Sequence, residues 1–205
     1  GIPNDAIIYC CFNKSYKITP GIFNIWINVL KKVENSILWL NISNNQTKLN
    51  IMNYAEKNSL NSNKIFFTDR SKNYEDYLEK HSLADIFLDT CPYSAHSTGY
   101  ASLISGVPIV TYKSETFANN VCSSLLIEAN LQELVTKNLS DYKSLAIELG
   151  QNKLKLNNIK NRLKKDFIDK KIFNSELYTQ DLEKAFYKIY ELKKNNRNSC
   201  DLRFD

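Results

Sequence analysis

The sequence predicts an α/β fold built on a mostly parallel sheet. Five short apolar runs alternate with helical stretches between residues 6 and 112. Right-handed crossovers through a helix join parallel strands, so this alternation favours a parallel sheet over a series of hairpins. The chain has 205 residues, and 43% of them are hydrophobic. That length is sufficient for one packed domain or for one lobe of a larger enzyme.

The predicted strands are rich in Ile, Leu, Val and aromatic residues, a composition typical of strands buried on both faces. They lie at residues 6–12, 36–42, 64–68, 85–89 and 107–112. We expect a sheet of five strands or slightly more. The runs at 6–12 and 85–89 are apolar throughout their interiors, which predicts a central place for both.

Helices are predicted between these runs, where apolar residues recur at spacings of three and four. They lie at residues 20–33, 48–58, 74–82 and 97–105. Pro20 suits the first turn of a helix, and Gly106 suits the end of the fourth one. After Glu115 the sequence predicts helices only, followed by a polar, disordered tail. These segments are a helix that ends at Gly150, helices at 153–170 and 174–194, and the tail at 195–205.

Charge and cysteine content exclude several classes of protein. The formal net charge of +5 suits an anionic ligand but is too small to require nucleic acid. Five cysteines occur without a C-x-x-C pair, which favours reduced thiols over disulfides or zinc. Residues 1–30 lack the pattern of a signal peptide, and no apolar stretch is long enough to span a membrane. We therefore expect a cytoplasmic or nucleocytoplasmic protein.

The most informative motif is His96-Ser97-Thr98-Gly99, between the fourth and fifth predicted strands. It begins a helix with hydroxyl side chains after a parallel strand. The first turn of such a helix presents free backbone N–H groups and the positive end of the helix dipole. The motif therefore predicts a binding site for a phosphate or pyrophosphate. For His96, a role as a helix cap or core residue is the alternative.

Other polar residues lie near the ends of the predicted strands. Lys14 and Lys17 follow the first strand, at the edge where ligands of parallel sheets bind. Either could place a cation on a phosphate, and an ordinary surface lysine is the alternative. His81 is predicted to be structural or exposed. Asp85 and Asp89 bracket the fourth strand at about 13 Å from each other, too far for an acid–base pair, so loop capping is favoured.

Several longer segments, rather than a common nucleotide-binding signature, resemble a known family. The sequence has no G-x-G-x-x-G, Walker loop, G-x-S-x-G or cluster of metal ligands. The segments are YCCFNKSYKITP at 9–20, VENSILWL at 33–40, LADIFLDT at 83–90, HSTG at 96–99 and SET at 114–116. Together they resemble the C-terminal catalytic lobe of the O-GlcNAc transferase and SPINDLY family, glycosyltransferase family 41. The resemblance runs in the same order over roughly residues 5–191.

The resemblance implies a GT-B architecture, in which a nucleotide-sugar lies between two Rossmann-like lobes. It also implies transfer of the sugar to Ser or Thr hydroxyls of proteins, with inversion and without a metal or other cofactor. Lys17 matches the family lysine that contacts the diphosphate and stabilises the leaving group, which makes it the catalytic candidate. The run His96, Ser97 and Thr98 matches the H-T-T run that binds the diphosphate. Lys80 matches a basic residue near the base.

Four positions depart from the pattern of the family. Lys14 stands where many members have Gln, and its charge would still suit a phosphate. Tyr77 stands where members have a His near the base, so stacking is kept but the hydrogen bonding differs. Ala101 replaces an Asp that faces the ribose, and Asn120 replaces an Arg. These two changes bear on affinity and on the choice of sugar nucleotide.

On this resemblance, residues 1–150 form the nucleotide-sugar-binding lobe. Residues 151–194 pack back on it and toward an N-terminal lobe that is missing here, as are the tetratricopeptide repeats of the family. We expect UDP-GlcNAc as donor and protein hydroxyls as acceptors, no nucleic acid or membrane partner, and no activity from this lobe alone. The alternatives are GDP-fucose as donor, a cytoplasmic asparagine glucosyltransferase, and a degenerate lobe that binds only a nucleotide or a partner protein.

Overall fold

A six-stranded parallel sheet forms the centre of the molecule, in the order β3-β2-β1-β4-β5-β6. The computed structural model describes residues 3, 5–165 and 174–195. The strands are β1 (Ile7–Cys11), β2 (Ser36–Asn41), β3 (Ile65–Thr68), β4 (Ile86–Leu88), β5 (Ile109–Tyr112) and β6 (Val135–Thr136). Every neighbouring pair is parallel. The predicted class, an α/β fold with a Rossmann-like parallel sheet flanked by helices as in a GT-B lobe, is confirmed.

Helices connect the strands where the apolar periodicity predicts them. The helices are α1 (Pro20–Lys32), α2 (Asn45–Lys57), α3 (Tyr74–Ser82), α4 (Ser97–Ile104), α5 (Phe117–Glu128), α6 (Leu139–Gln151), α7 (Lys153–Lys165) and α8 (Ser175–Lys194). A 3₁₀ turn at Ser15–Lys17 lies between β1 and α1. Across the ranges that the structure describes, no helix is long and apolar enough to cross a membrane.

The two strands predicted to be central are central. β1 pairs with β2 on one side and β4 on the other, and β4 also pairs with β5. All three residues of β4 are fully buried, as are Tyr9, Cys10 and Cys11 of β1. The chain runs outward from β1 to β3 and then returns to the other side of β1 as β4. The order of the strands thus reverses between β1 and β4, which is where open parallel sheets bind their ligands.

The expectation of helices alone after Glu115 is wrong, because β6 lies in that part of the chain. β6 has two residues and pairs with Thr111 and Tyr112 at the edge of the sheet. Such a short edge strand carries no apolar run, so sequence periodicity cannot detect it. The hydroxyl of Thr136 also donates a hydrogen bond to the carbonyl of Thr111 at 2.9 Å, which fixes this edge.

Helix α6 is packed tightly onto β1 and β4. A Cβ atom at Gly150 would lie 2.0 Å from the Tyr9 hydroxyl oxygen, so only glycine fits there. The Tyr9 hydroxyl donates to the carbonyl of Ala146 at 2.7 Å. The Tyr142 hydroxyl, also from α6, donates to the carbonyl of Asp89 at 3.0 Å and accepts from the Trp26 indole at 3.0 Å. These buried bonds fix the position at which β4 ends.

The chain divides into two compact units, Gly1–Lys165 and Asp166–Asp205. In the first unit, α7 buries Leu156, Ile159 and Leu163. In the second unit, Asn174 caps α8, and its side chain accepts from two backbone N–H groups of the first turn. Several apolar residues of α8 are exposed, among them Leu177, Phe186 and Ile189. Residues 166–170 of the helix predicted at 153–170, and residues 196–205 of the predicted tail, lie outside the described residues. The roles expected for 1–150 and 151–194 stay predictions.

Candidate functional site

A buried carboxylate at the end of β4 organises the loop that leads to α4. One oxygen of Asp89 accepts hydrogen bonds from the backbone N–H groups of Thr90 at 2.8 Å and Ala95 at 2.6 Å. The other oxygen accepts from the Thr111 hydroxyl at 2.6 Å. Asp89 is only 1% exposed. The loop-capping role predicted for this residue is therefore correct.

Asp85, at the other end of β4, has a separate structural role. Its carboxylate accepts from the backbone N–H of Ile8 at 3.0 Å and pairs with the Lys160 ammonium at 2.6 Å. These contacts attach α7 to the amino end of β1. Asp85 and Asp89 thus serve opposite edges of the sheet, and no acid–base pair is formed.

Lys17 lies over the loop that Asp89 organises. The 3₁₀ turn after β1 carries it, and its side chain is largely buried, with 8% exposed. Its ammonium group donates to the carbonyl oxygen of Ser94 at 2.8 Å and lies 3.5 Å from the centre of the Tyr93 ring. Burial lowers the pKa of Lys17, and the negative charge of Asp89 opposes that shift. An ordinary surface lysine would show none of these features.

His96 precedes the first turn of α4 and contacts the same aromatic ring as Lys17. Its ring lies edge-on to Tyr93, with centroids 5.1 Å apart, and 6.3 Å from Phe117. Nε2 of His96 is 3.2 Å from the carbonyl oxygen of Ala118. A carbonyl only accepts, so this contact places a proton on Nε2. His96 occupies the N-cap position of α4, but its side chain makes no capping hydrogen bond.

The first turn of α4 carries the predicted hydroxyl side chains. Ser97 is exposed and Thr98 is half-buried. The first N–H groups of a helix have no acceptor within the helix, so α4 presents them together with its positive dipole end. Tyr93 touches both Lys17 and His96, so the structure brings the lysine and the start of α4 together at the carboxyl edge of the sheet.

The other predicted site residues, Tyr77, Lys80 and Lys14, do not all lie near the start of α4. Burial raises the pKa of the Tyr77 phenol in α3, and the nearby Thr98 side chain opposes that shift. Lys80 donates instead to the backbone carbonyl of Asp69, just after β3. Lys14 is exposed at the start of the 3₁₀ turn. Tyr77 thus lies near the start of α4, whereas Lys80 contacts the end of β3 and Lys14 is exposed.

Two of the departures from the family pattern have structural roles. Ala101 is fully buried within α4. Asn120 accepts a hydrogen bond from the backbone N–H of Ser114 at 3.0 Å, so it caps the loop before α5. Asn119 supports the same loop by donating to the carbonyl of Tyr112 at 2.7 Å. Both asparagines therefore order the segment that follows β5.

Sequence reasoning missed Tyr93, Ser94 and Asn13. Asn13 is buried at the end of β1 and donates to the hydroxyl of Thr90 at 2.7 Å. Ser94 is buried and donates to the carbonyl of Ala118 at 2.9 Å. Tyr93 was detectable as an aromatic residue in a loop that follows a buried strand. No sequence signal identifies Ser94, because its backbone carbonyl makes the contact with Lys17.

A parallel sheet with a buried lysine and a helix N-terminus at its switch point defines a class of α/β lobes suited to phosphorylated ligands. Within that class, the chain belongs to glycosyltransferase family 41. The family model described as "Glycosyl transferase family 41" matches residues 1–182. The predicted family is confirmed.

Named relatives and a solved structure agree with this assignment. A probable UDP-N-acetylglucosamine–peptide N-acetylglucosaminyltransferase, SEC of Arabidopsis thaliana, is 33% identical over 94% of this chain and 20% of its own length. The UDP-N-acetylglucosamine–peptide N-acetylglucosaminyltransferase of Caenorhabditis elegans is 34% identical over 89% of this chain and 16% of its own length. The structure of a Thermobaculum terrenum O-GlcNAc transferase mutant matches with a TM-score of 0.85 and 26% identity, over 92% of this chain and 38% of that one. The chain thus spans about a fifth of the length of the two relatives.

Proposed function

We propose that this chain is the donor-binding lobe of an inverting protein O-glycosyltransferase, which transfers GlcNAc from UDP-GlcNAc to Ser or Thr hydroxyls. The relatives from Arabidopsis and Caenorhabditis are named for UDP-N-acetylglucosamine and for peptide acceptors, and their similarity covers most of this chain. In this proposal the second lobe, the helical repeats and the catalytic base come from the rest of a longer protein. That protein acts in the cytoplasm or nucleus.

One observation carries the proposal. Lys17 contacts Tyr93 and Ser94 of the loop that leads to α4, at the switch point of the sheet, and Tyr93 also contacts His96 at the start of α4. A diphosphate bound there would meet a fixed ammonium group on one side and backbone N–H groups on the other. Both are charge-stabilising groups held in place before the reaction begins, which is the arrangement that accelerates a reaction most.

The chemistry follows from the charge that develops on the leaving group. The acceptor hydroxyl attacks the anomeric carbon from the face opposite the diphosphate and loses its proton to a base outside this chain. The bond between the anomeric carbon and the diphosphate oxygen breaks, and the electron pair stays on that oxygen. Lys17 and the N–H groups of α4 then stabilise the added negative charge. Attack from the opposite face inverts the configuration.

This proposal assigns charge neutralisation to protein groups rather than to a metal ion. Within residues 3, 5–165 and 174–195, no group of three or more His, Cys, Asp or Glu side chains could hold a metal. Tyr77 and Lys80 bind near the base in this proposal, and Lys14 adds a second cation near the phosphates. The proximity of Tyr77 to Thr98 supports a nucleotide that extends from the start of α4 toward α3.

The first prediction concerns Lys17 in the full-length protein. The substitution Lys17→Met should lower kcat about 10²–10³-fold and weaken donor binding far less, because the ammonium acts mainly on the departing diphosphate. Steady-state kinetics with UDP-GlcNAc and an acceptor peptide would measure both effects. Unchanged turnover would mean that Lys17 is not catalytic.

Lys64 offers a matched control for this substitution. It also ends a 3₁₀ turn, burial lowers its pKa, and its ammonium donates to backbone carbonyls, here those of Leu30 and Glu34. It lies before β3, at the opposite edge of the sheet. Lys64→Met should therefore reduce stability but leave kcat near the wild-type value.

The same assay distinguishes the alternatives. Transfer from GDP-fucose but not from UDP-GlcNAc would assign a fucosyltransferase. Transfer of glucose to asparagine peptides would assign an N-glucosyltransferase. Binding of UDP without transfer from any of these donors would assign a degenerate lobe, for which Ala101 and Asn120 are the motivating residues.

A further inference from the structure

Asp89 makes contacts that connect the loop around Lys17 with the start of α4. Its carboxylate binds the backbone N–H groups at both ends of the loop from Thr90 to Ala95. That loop supplies the Ser94 carbonyl and the Tyr93 ring that hold Lys17, and it ends at α4. A single buried group thus fixes the lysine and the start of the helix relative to each other.

The contacts of Asp89 favour its ionised form. Its two oxygens accept from two backbone N–H groups and from the Thr111 hydroxyl, and the Asn13 amide adds a longer contact at 3.4 Å. Backbone N–H groups cannot accept a proton from a carboxylic acid. Burial raises the pKa of Asp89, and these hydrogen bonds oppose that shift. The hydrogen bonds thus favour a negative charge on Asp89, and that charge acts on the largely buried Lys17.

Few other charged groups act on Lys17. The thiols of Cys11 and Cys122 lie close enough to affect it, but burial raises the pKa of each, so both are neutral near pH 7. The Tyr93 ring contacts the ammonium through its face and carries no charge. Among the titratable groups of β1, β4 and α5 that act on Lys17, Asp89 is therefore the one that supplies a negative charge.

We propose that Asp89 is a positioning residue for Lys17: its buried carboxylate orders the loop whose Ser94 carbonyl and Tyr93 ring hold the ammonium, and it supplies a negative charge to that loop. The inference deepens the proposed function, because it says how the cation that would meet the diphosphate is maintained. Asp89 itself need not touch the donor. Its effect reaches the reaction through Lys17 and through the loop.

The substitution Asp89→Asn removes the negative charge but keeps a side chain that can make the same hydrogen bonds to the loop. The amide oxygen can still accept from Thr90 and Ala95, and the Thr111 hydroxyl can accept from the new amide group. In the full-length protein labelled with ¹³C-lysine, the Cε resonance of Lys17, assigned with a Lys17→Arg variant, reports its titration directly. We expect the midpoint to fall by about one pH unit or more in the Asn variant.

Asp85→Asn is the matched control, since Asp85 lies on the same strand and the Lys160 ammonium already neutralises its charge. It should leave the Lys17 midpoint in place. An unchanged midpoint in Asp89→Asn would overturn the proposal, as would an equal shift in both variants. The basic limb of the pH profile of kcat should move with the midpoint. A shift in the Lys17 titration without any glycosyl transfer would retain this inference and reject the proposed function.

A reciprocal measurement keeps the proposal testable if Asp89→Asn does not fold. Coupling between two titrating groups is mutual, so removing Lys17 must raise the pKa of Asp89 by the same amount. Lys17→Met with ¹³C-labelled aspartate would show this as an upward shift of the Asp89 titration. If the Asp89 titration did not change, the proposed coupling would be absent.

Discussion

At the scale of single residues, His81 is a buried histidine with one unsatisfied nitrogen. Its ring contacts Phe12 and Tyr77 edge-on, at centroid distances of 4.7 and 4.4 Å, and stacks on Phe87 at 6.4 Å. Nδ1 lies 2.8 Å from the carbonyl of Tyr77, whereas Nε2 has no partner among the described residues. Burial lowers the pKa of His81 to about 4. Of the two roles predicted for it, the structural one is correct.

The lowered pKa of His81 predicts a pH-dependent loss of stability. The unfolded chain binds the proton at pH values near 6.5, but the folded protein binds it only near 4. Stability should therefore be complete above pH 6.5 and fall as the pH drops from 6.5 to 4, by about 1 kcal/mol per pH unit at most. Denaturant unfolding of the wild type and of His81→Phe, at pH 7 and pH 4.5, would measure this. An equal loss in both proteins would show that another group is responsible.

How far the site was predictable differs from residue to residue. Lys17 and His96 were identified because residue type and position after a strand carry the information. The contact of Lys17 with the Ser94 carbonyl was not predictable, since a backbone atom makes it and the path of the loop decides which carbonyl is reached. The cation–π contact with Tyr93 depends on the same path. Residue types therefore indicate the chemistry proposed for the site, and the path of the loop determines its geometry.

At the scale of elements, the packing of α6 on β1 depends on one close approach. The Tyr9 hydroxyl occupies the space next to the Cα of Gly150 and donates to Ala146 on the same helix. Gly150→Ala would place a methyl group against that oxygen. We expect a loss of about 1–3 kcal/mol in the free energy of unfolding, the usual cost of overpacking.

A double-mutant cycle tests the origin of this loss. Tyr9→Phe alone should cost about 1 kcal/mol, the net contribution of a buried hydrogen bond. In the variant that combines it with Gly150→Ala, the hydroxyl that causes the clash is gone, so the total loss should be smaller than the sum of the two single losses. Strict additivity in urea unfolding would mean that the two residues do not interact.

The elements also show where sequence periodicity succeeds and fails. The bounds of α3 agree with the prediction at both ends. Asn73 caps the start of this helix, because its side chain accepts a hydrogen bond from the N–H of Asp76 at 2.7 Å. Local capping chemistry is visible in the sequence. β6 was missed because two residues at the edge of the sheet are held by long-range pairing with β5. Such pairing leaves no local pattern.

At the scale of the whole molecule, the switch point between β1 and β4 explains why distant segments form one site. β1 brings Lys17, β4 brings Asp89 and its loop, and α4 follows from that loop. These segments are separated by about 70 residues in sequence, as the bond from Lys17 to Ser94 shows with a separation of 77. Parallel topology places the carboxyl ends of both strands at the same edge. The order of strands thus brings the groups proposed to bind the diphosphate together within the first compact unit.

This assembly predicts that the 205-residue lobe binds UDP but does not transfer a sugar. The groups proposed to meet the diphosphate all lie in residues 14–98, whereas the acceptor site and base are proposed to lie in the rest of the protein. Calorimetry with UDP and with uridine isolates the contribution of the phosphates. We expect UDP to bind at least about tenfold more tightly than uridine. A tenfold difference in affinity corresponds to about 1.4 kcal/mol, and one hydrogen bond to a charged group contributes about that much. Lys17→Met should reduce this difference only in part, because the N–H groups of α4 remain, and Lys64→Met should leave it unchanged. If UDP and uridine bound equally well, the diphosphate would not lie against Lys17 and α4, and the proposed site would be wrong.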